Sequence, residues 1–146
     1  MTLQNYGLFF HHFGLAVSNP SQALSFLQGL GYQPGELIYD PLQNINLVWC
    51  GHLSMPPVEV VSPAESPGPL GPYLSKISEL IYHLCFRSDD VAASLGAIRD
   101  DGIRVLPVSP PKPAVLFGGQ EVSFHMIKGF GLVELLHTEG TGYDDQ

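Results

Sequence analysis

A repeat with an offset of 71 residues constrains the fold of this chain more than any other feature. The matched positions fall on a strand, at a helix cap, in a helix core and at a helix stop. Such self-similarity indicates that one supersecondary unit occurs twice. The matched pairs are His12 and His83, Asn19 and Asp90, Leu24 and Leu95, Leu27 and Ile98, and Gly31 and Gly102.

Each copy is predicted to fold as a strand, a helix and three further strands. In the first copy Asn19 caps a helix that starts at Pro20, and in the second copy Ser88 or Asp90 supplies the cap. Glycines at 31 and 102 end the two helices. The strands are predicted at 8–17, 32–40, 45–51 and 58–61, and again at 81–87, 103–108, 122–126 and 132–137.

The pattern predicts an α+β fold made of two βαβββ modules, with helices on the outside of curved mixed sheets. We expect one domain over 1–146, with modules at about 8–62 and 81–138 and a linker at 63–80. The linker is indicated by four prolines and two glycines within residues 62–73. One helical turn is predicted after it, at 74–79.

Composition narrows the class of protein. Fourteen acidic residues against six basic ones give a formal net charge of −8, so no basic nucleic-acid footprint exists. No apolar stretch is long enough to span a membrane, and we expect no signal peptide at the N-terminus. Cys50 and Cys85 lie in apolar runs without a CxxC pair, which is typical of buried thiols in a reducing compartment. A cytoplasmic location is therefore expected.

Each copy carries a histidine on its first strand and a glutamate on its last, His12 with Glu59 and His83 with Glu134. Both glutamates interrupt apolar strands, where an unpaired carboxylate is costly. Two imidazoles and two carboxylates meeting in one cavity would suit a divalent ion such as Co, Mn, Ni, Zn, Fe or Mg. Alternatively, each glutamate faces solvent and each histidine is an ordinary core or surface residue.

Several segments resemble the vicinal oxygen chelate (glyoxalase/bleomycin resistance/dioxygenase) superfamily, most closely its methylmalonyl-CoA epimerase-like branch. The resemblance runs from about Phe10 to His137. It is carried by HHFGLAVSNPSQALSFLQGLGY, VEVVSPAESP, IYHLCFRSDDVAASLGAIRDDGIRV and GLVELL.

The resemblance implies a metal-binding cup formed where the two modules meet, with His12, Glu59, His83 and Glu134 as ligands. It also implies an epimerase or isomerase that removes a proton next to a carbonyl, on an acyl-CoA or carrier-protein thioester. Epimerases of this branch use a glutamate at the position occupied here by Leu42. Glu134 therefore remains as a candidate single base.

Further substrate contacts are predicted at Gln43, Arg87 and His125. Arg87 shares a strand face with His83 and needs an anionic partner, whereas His125 alternates with apolar neighbours. The proline-rich stretch that contains Lys112 is expected to form a rigid loop over the mouth of the cup. The resemblance also implies a homodimer, in which the modules either close one cup within a chain or exchange across two chains.

Three other functions remain open from the sequence. A glyoxalase I-like lyase would use the same metal ligands. A metal-free protein of the antibiotic-binding, resistance type would use the cup only to hold a small molecule. An extradiol-type dioxygenase would need two histidines and one glutamate, so Glu59 would be an extra carboxylate.

Overall fold

The computed structural model describes residues 4–64, 69–74 and 78–138. The chain divides into two compact units. One unit comprises His12–Tyr82, and the other comprises the described residues from His83 onward together with those before His12. These units group residues by packing, so the module and linker limits given above remain a prediction.

The unit of residues 12–82 contains a sheet of four strands with one long helix packed against it. The sheet order is β2-β3-β4-β1, with β1 parallel to β4 and the other neighbours antiparallel. The first residues of β1 are grouped with the other unit. The elements are β1 (Leu8–Val17), α1 (Pro20–Gly29), β2 (Gln33–Asp40), β3 (Ile45–Gly51), β4 (Val58–Pro63) and the short α2 (Gly71–Leu74).

The second unit repeats this arrangement. Its sheet order is β6-β7-β8-β5, with β5 parallel to β8 and the other neighbours antiparallel. Two short 3-10 turns lie at Gln4–Gly7 and Val115–Phe117. The elements are β5 (Glu79–Ser88), α3 (Val91–Asp100), β6 (Val105–Pro113), β7 (Glu121–Ile127) and β8 (Gly131–His137).

The common order and strand directions confirm the α+β class and the internal duplication. The offset of 71 residues also survives in three dimensions, because β1 and β5 start at Leu8 and Glu79, and α1 and α3 start at Pro20 and Val91. Further along, insertions in the second copy change the offset. The duplication is therefore tightest in the strand and helix that begin each copy.

Local sequence signals set the limits of both long helices. The Asn19 side chain accepts a hydrogen bond from the Ser21 backbone N–H, and the Asp90 side chain accepts one from the Ala93 N–H, both at 3.0 Å. These contacts satisfy backbone donors that the first helical turn leaves unpaired. The cap predicted at Asn19 is confirmed, and of the two caps predicted for the second helix the structure uses Asp90.

Each helix covers one face of its own sheet. Leu15 and Val17 of β1 pack with Leu27 of α1, while the alternate residues of β1 are buried on the other face. In the second unit, Val91 of α3 packs with Val133 of β8. The period-2 alternation of the strand separates these two faces.

The proline-rich segment is not a loop. It forms β6, which pairs antiparallel with β7 through shifts in register between Pro107 and Ser109 and between Ser109 and Lys112. β6 lies at the edge of its sheet, where prolines that lack an N–H donor are tolerated, and irregular pairing accommodates the remaining ones. The predicted loop was therefore wrong, because edge pairing depends on a distant strand.

Between the two copies, helix α2 at Gly71–Leu74 is earlier than the turn predicted at 74–79. Residues 75–77 of that prediction lie outside the described part of the chain, and Glu79 already belongs to β5. Cys50 and Cys85 are buried and form no disulfide, and burial raises the pKa of the Cys50 thiol to about 11. No helix within the described ranges is long and apolar enough to cross a membrane.

Candidate metal centre

The first histidine–glutamate pair lies on two parallel strands. Glu59 of β4 is in register with Gly14 of β1, and His12 is two residues before Gly14 on the same strand face. His12 Nε2 is 3.5 Å from Glu59 Oε2, and the two residues are 0% and 5% exposed. The side chains are therefore brought together inside the protein although 47 residues separate them in sequence.

The second pair has the same construction. Glu134 of β8 is in register with Cys85 of β5, two residues after His83. His83 Nε2 is 3.1 Å from Glu134 Oε1, and both residues are buried. Because Cys85 lies 71 positions after Gly14, each glutamate occupies the same place relative to the first strand of its copy. The alternative in which both glutamates face solvent is therefore wrong.

An aromatic ring packs against each histidine. Trp49 is in register with Glu59 across β3 and β4, and its ring lies edge-on to His12 with centroids 5.0 Å apart. Phe124 is in register with Glu134 across β7 and β8, and its ring lies edge-on to His83 at 5.3 Å. Rings in these positions fix the orientation of the imidazoles and reduce the access of water.

Neither of these two aromatic residues is among the site residues predicted from the sequence. The available signal was the alternation of β3 and β7 combined with the register to β4 and β8. That register is a property of strand pairing, which is difficult to obtain from one sequence.

The donor set of each pair fits a divalent ion. Two ligand atoms that bind one ion at about 2.1 Å, with angles of 90–110°, lie about 3.0–3.4 Å apart. The separations of 3.5 and 3.1 Å in the two pairs are close to this range. Imidazole nitrogen and carboxylate oxygen together suit Mn, Fe, Co, Ni and Zn. Such an ion would also neutralise carboxylates that are otherwise expensive to bury.

The turn after β2 is organised by a buried carboxylate. Asp40 is 1% exposed and accepts hydrogen bonds from the Leu42 N–H at 2.9 Å, from the Gln43 N–H at 3.3 Å and from the Gln43 side-chain amide at 3.1 Å. Asp40 therefore holds the turn, and Gln43 is positioned by it. The Leu42 side chain extends into solvent with 55% of its surface exposed.

Arg87 and His125 both belong to the second unit. The guanidinium of Arg87 lies over the ring of Phe9, 4.3 Å from the ring centroid, which is a cation–π geometry. His125 is in register with Val133 on the face of the sheet that packs against α3. Its neighbour Phe124 points to the other face, toward His83. The structure therefore does not bring His125 together with the His83–Glu134 pair.

Comparison with known proteins identifies the family and the fold. The family model described as "Glyoxalase/Bleomycin resistance protein/Dioxygenase superfamily" matches residues 11–124. A search of curated protein sequences found no match.

Solved structures with the same fold have low sequence identity. Methylmalonyl-CoA epimerase from Mycobacterium tuberculosis is 19% identical, with a TM-score of 0.74 over 93% of this chain and 92% of that one. A variant of the Streptomyces coelicolor methylmalonyl-CoA epimerase, in complex with 2-nitronate-propionyl-CoA, is 21% identical with a TM-score of 0.72, over 94% of this chain and 99% of that one.

A hypothetical protein from Bacillus halodurans C-125 is similar as well. It is 17% identical with a TM-score of 0.72, over 94% of this chain and 99% of that one. Likeness at these identities concerns the fold, whereas the family match covers most of the sequence. The chain belongs to the glyoxalase/bleomycin resistance protein/dioxygenase superfamily.

Proposed function

We propose that this protein is a divalent-metal-dependent epimerase or isomerase that removes a proton from the carbon next to a carbonyl. The observation that carries the proposal is the pair of buried histidine–glutamate contacts, which recur at equivalent positions in the two copies. An acyl thioester is the proposed substrate, because similar structures include epimerases solved with 2-nitronate-propionyl-CoA and with methylmalonyl-CoA.

The proposed ligands of one ion are His12, Glu59, His83 and Glu134. When bound, a divalent ion acts as a Lewis acid that stabilises negative charge developing on a substrate carbonyl oxygen. Trp49 and Phe124 would hold the imidazoles in place and exclude water from the reacting groups.

Glu134 is the proposed base. A carboxylate that is 2% exposed in an apolar strand is poorly solvated, which favours its accepting a proton from carbon. The turn after β2 offers no second carboxylate for this task, because Leu42 is apolar and Asp40 is engaged by three hydrogen bonds. We therefore expect chemistry with a single base, and Gln43 and Arg87 remain proposed substrate contacts.

A single base returns the proton to the face from which it was taken or to the adjacent carbon, so inversion of the carbon needs a proton that solvent delivers to the opposite face. Exchange of the α-proton with solvent should then be faster than inversion of configuration. The same argument supports a second candidate, a glyoxalase I-like lyase, since transfer between adjacent carbons needs only one carboxylate. The specific observation that favours this alternative is that the turn at 40–43 has no carboxylate besides the hydrogen-bonded Asp40.

The test is solvent deuterium incorporation at C2 of methylmalonyl-CoA, followed by NMR on protein loaded in turn with Co, Mn, Ni and Zn. We expect exchange with the unmodified protein, loss of more than about 100-fold in Glu134→Gln, and unchanged exchange in the matched control Glu36→Gln, whose side chain is exposed. Exchange that persists in Glu134→Gln would remove this base from the mechanism.

Two outcomes would favour other functions. Exchange on an α-hydroxycarbonyl substrate, but not on the thioester, would favour the lyase. Absence of bound metal after careful loading, with tight small-molecule binding that a chelator does not change, would favour a metal-free binding protein. We further propose a cytoplasmic homodimer, and light scattering coupled to size-exclusion chromatography measures the oligomeric state.

A further inference from the structure

A cavity lies in the unit that contains α3, on the helix-facing side of its sheet. Its volume is about 390 Å³, which falls within the range of small-molecule sites. Most of its lining is apolar, and the side chains come from α3, from β7 and β8 and from the segment before β1. Representative lining residues are Leu8, Leu95, Ile98, Ile127 and Val133.

One polar side chain stands out in this apolar lining. His125 is 6% exposed, and its Nε2 lies 2.9 Å from the Ser123 hydroxyl, which is in turn 2.7 Å from His137 Nε2. The other ring nitrogen, Nδ1, has no hydrogen-bond partner among the described residues. Buried polar atoms are nearly always paired in folded proteins, so an unpaired one at a cavity indicates a missing partner.

The charges around the cavity favour an anion as that partner. Burial is the main cause that lowers the pKa of His125, and the positive charges of His137 and Arg99 add to it. Lys128 lines the cavity as well. The carboxylate of Asp101 accepts a hydrogen bond from the Tyr6 hydroxyl at 2.6 Å, and Tyr6 is one of the lining residues. A neutral imidazole can present an N–H donor from Nδ1, and Lys128 supplies a full positive charge.

The wall formed by Tyr6 is conformationally strained. Tyr6 has a φ of 57°, in the left-handed region that residues other than Gly, Asn and Asp rarely adopt, and the preceding Asn5 has a φ of 53°, which asparagine tolerates better. The hydrogen bond from Tyr6 to Asp101 at the end of α3 holds this turn against the helix. Strain of this kind persists only when the surroundings impose it, and it is often found at binding sites.

We infer that this cavity binds a small amphipathic carboxylate, with the aliphatic tail among the apolar side chains and the carboxylate near His125 Nδ1 and the Lys128 ammonium. The unpaired nitrogen and the lysine define where the anion lies, and the apolar lining defines the tail. The site is separate from the proposed metal ligands, since His125 lies on the opposite face of its sheet from His83 and Glu134.

Octanoate is a suitable probe, with octanol and octylamine as neutral and cationic matches of equal chain length. Binding is measured by methyl and backbone NMR titration of the full chain, with and without a chelator. We expect saturable octanoate shifts at Leu95, Ile98 and Val133 that the chelator does not change. Octanol and octylamine should bind at least tenfold more weakly.

Two substitutions locate the carboxylate. His125→Phe should weaken octanoate binding by tenfold or more while changing octanol binding less than twofold. Lys128→Gln, at an exposed position, should weaken octanoate binding about threefold to fivefold. The control Lys112→Gln makes the same change of charge on β6 and should leave binding unchanged.

Three results would overturn the inference. They are the absence of saturable octanoate shifts at the lining residues, equal affinity for octanoate and octanol, and octanoate affinity that Lys128→Gln does not reduce. Should His125→Phe fail to fold, Lys128→Gln and the comparison of the three probes still decide the question. None of these readouts uses thioester exchange, so failure of the proposed enzyme function would be seen separately.

Discussion

Thermal stability should depend on a divalent ion, and the size of the dependence can be worked out from the two pairs. An ion that binds only the folded protein at 100 times its Kd stabilises it by about 2.7 kcal/mol. For a chain near 150 residues, each kcal/mol shifts Tm by about 2–4 °C. We therefore expect Tm to rise by about 5–11 °C when ion is added to chelator-treated protein.

The substitutions Glu59→Leu and Glu134→Leu determine whether the two pairs share one ion. Each removes a buried carboxylate proposed as a ligand, while conserving the approximate volume of the side chain. If one ion uses both pairs and either substitution weakens it about 100-fold, the stabilisation at the same concentration falls to about 0.4 kcal/mol. The metal-induced rise in Tm would then shrink to about 1–2 °C in either variant.

Differential scanning fluorimetry with Co, Mn, Ni and Zn measures this rise within each variant, so any change in the metal-free Tm cancels. Glu36→Gln is the control, because Glu36 is an exposed carboxylate on β2. A rise that is only halved in each variant would mean two independent ions. The metal site would be refuted if added ion did not raise the Tm of the unmodified protein. It would also be refuted if the rise in Tm were unchanged in the variant that carries both Glu59→Leu and Glu134→Leu.

Three further predictions test single elements. Asn19→Ala and Asp90→Ala should each lower the free energy of unfolding by about 1 kcal/mol, because each removes a helix cap. Urea titrations measure this change. A loss of stability at only one of the two positions would contradict the equivalence of the two caps. Leu42→Glu should raise the rate of inversion of methylmalonyl-CoA relative to the rate of deuterium exchange, because it adds a second carboxylate at an exposed position. Chiral chromatography measures the inversion. An unchanged ratio of inversion to exchange would contradict single-base chemistry. Burial lowers the pKa of His125 below 6.5, so the folded state favours the neutral ring. The contribution of the neutral His125 ring to the stability of the folded state is present above pH 6.5. It is lost as the pH falls through the pKa that His125 has in the folded state. His125→Phe should reduce the drop in urea midpoint between pH 8 and pH 5, and an equal drop in both proteins would count against the buried imidazole.

Local sequence patterns were sufficient to predict the helix starts and strand limits that depend only on nearby residues. Asn19 followed by Pro20 predicted the start of α1, and the matched position Asp90 predicted the start of α3. β1 and β3 have the predicted limits, Leu8–Val17 and Ile45–Gly51. These features follow from capping and from period-2 alternation, which act over a few residues.

Prediction was weaker where a residue depends on its partner strand. The proline-rich stretch around Lys112, after the strand predicted at 103–108, indicated a loop, whereas pairing with β7 at a sheet edge continues the strand to Pro113. The register of His125 with Val133 places it on the sheet face toward α3, which the alternation of its own strand did not determine. A shift of one residue in register exchanges the two faces of a strand, so the sequence leaves such positions open.

The sequence by itself determined that two glutamates interrupt apolar strands and that each has a histidine at a matched place in a duplicated unit. Only the tertiary structure decided that each glutamate lies beside its histidine, and that Trp49 and Phe124 pack against the two imidazoles. The physical reason is that residue type and spacing fix burial and strand face, whereas parallel pairing of β1 with β4 and of β5 with β8 fixes which distant side chains meet.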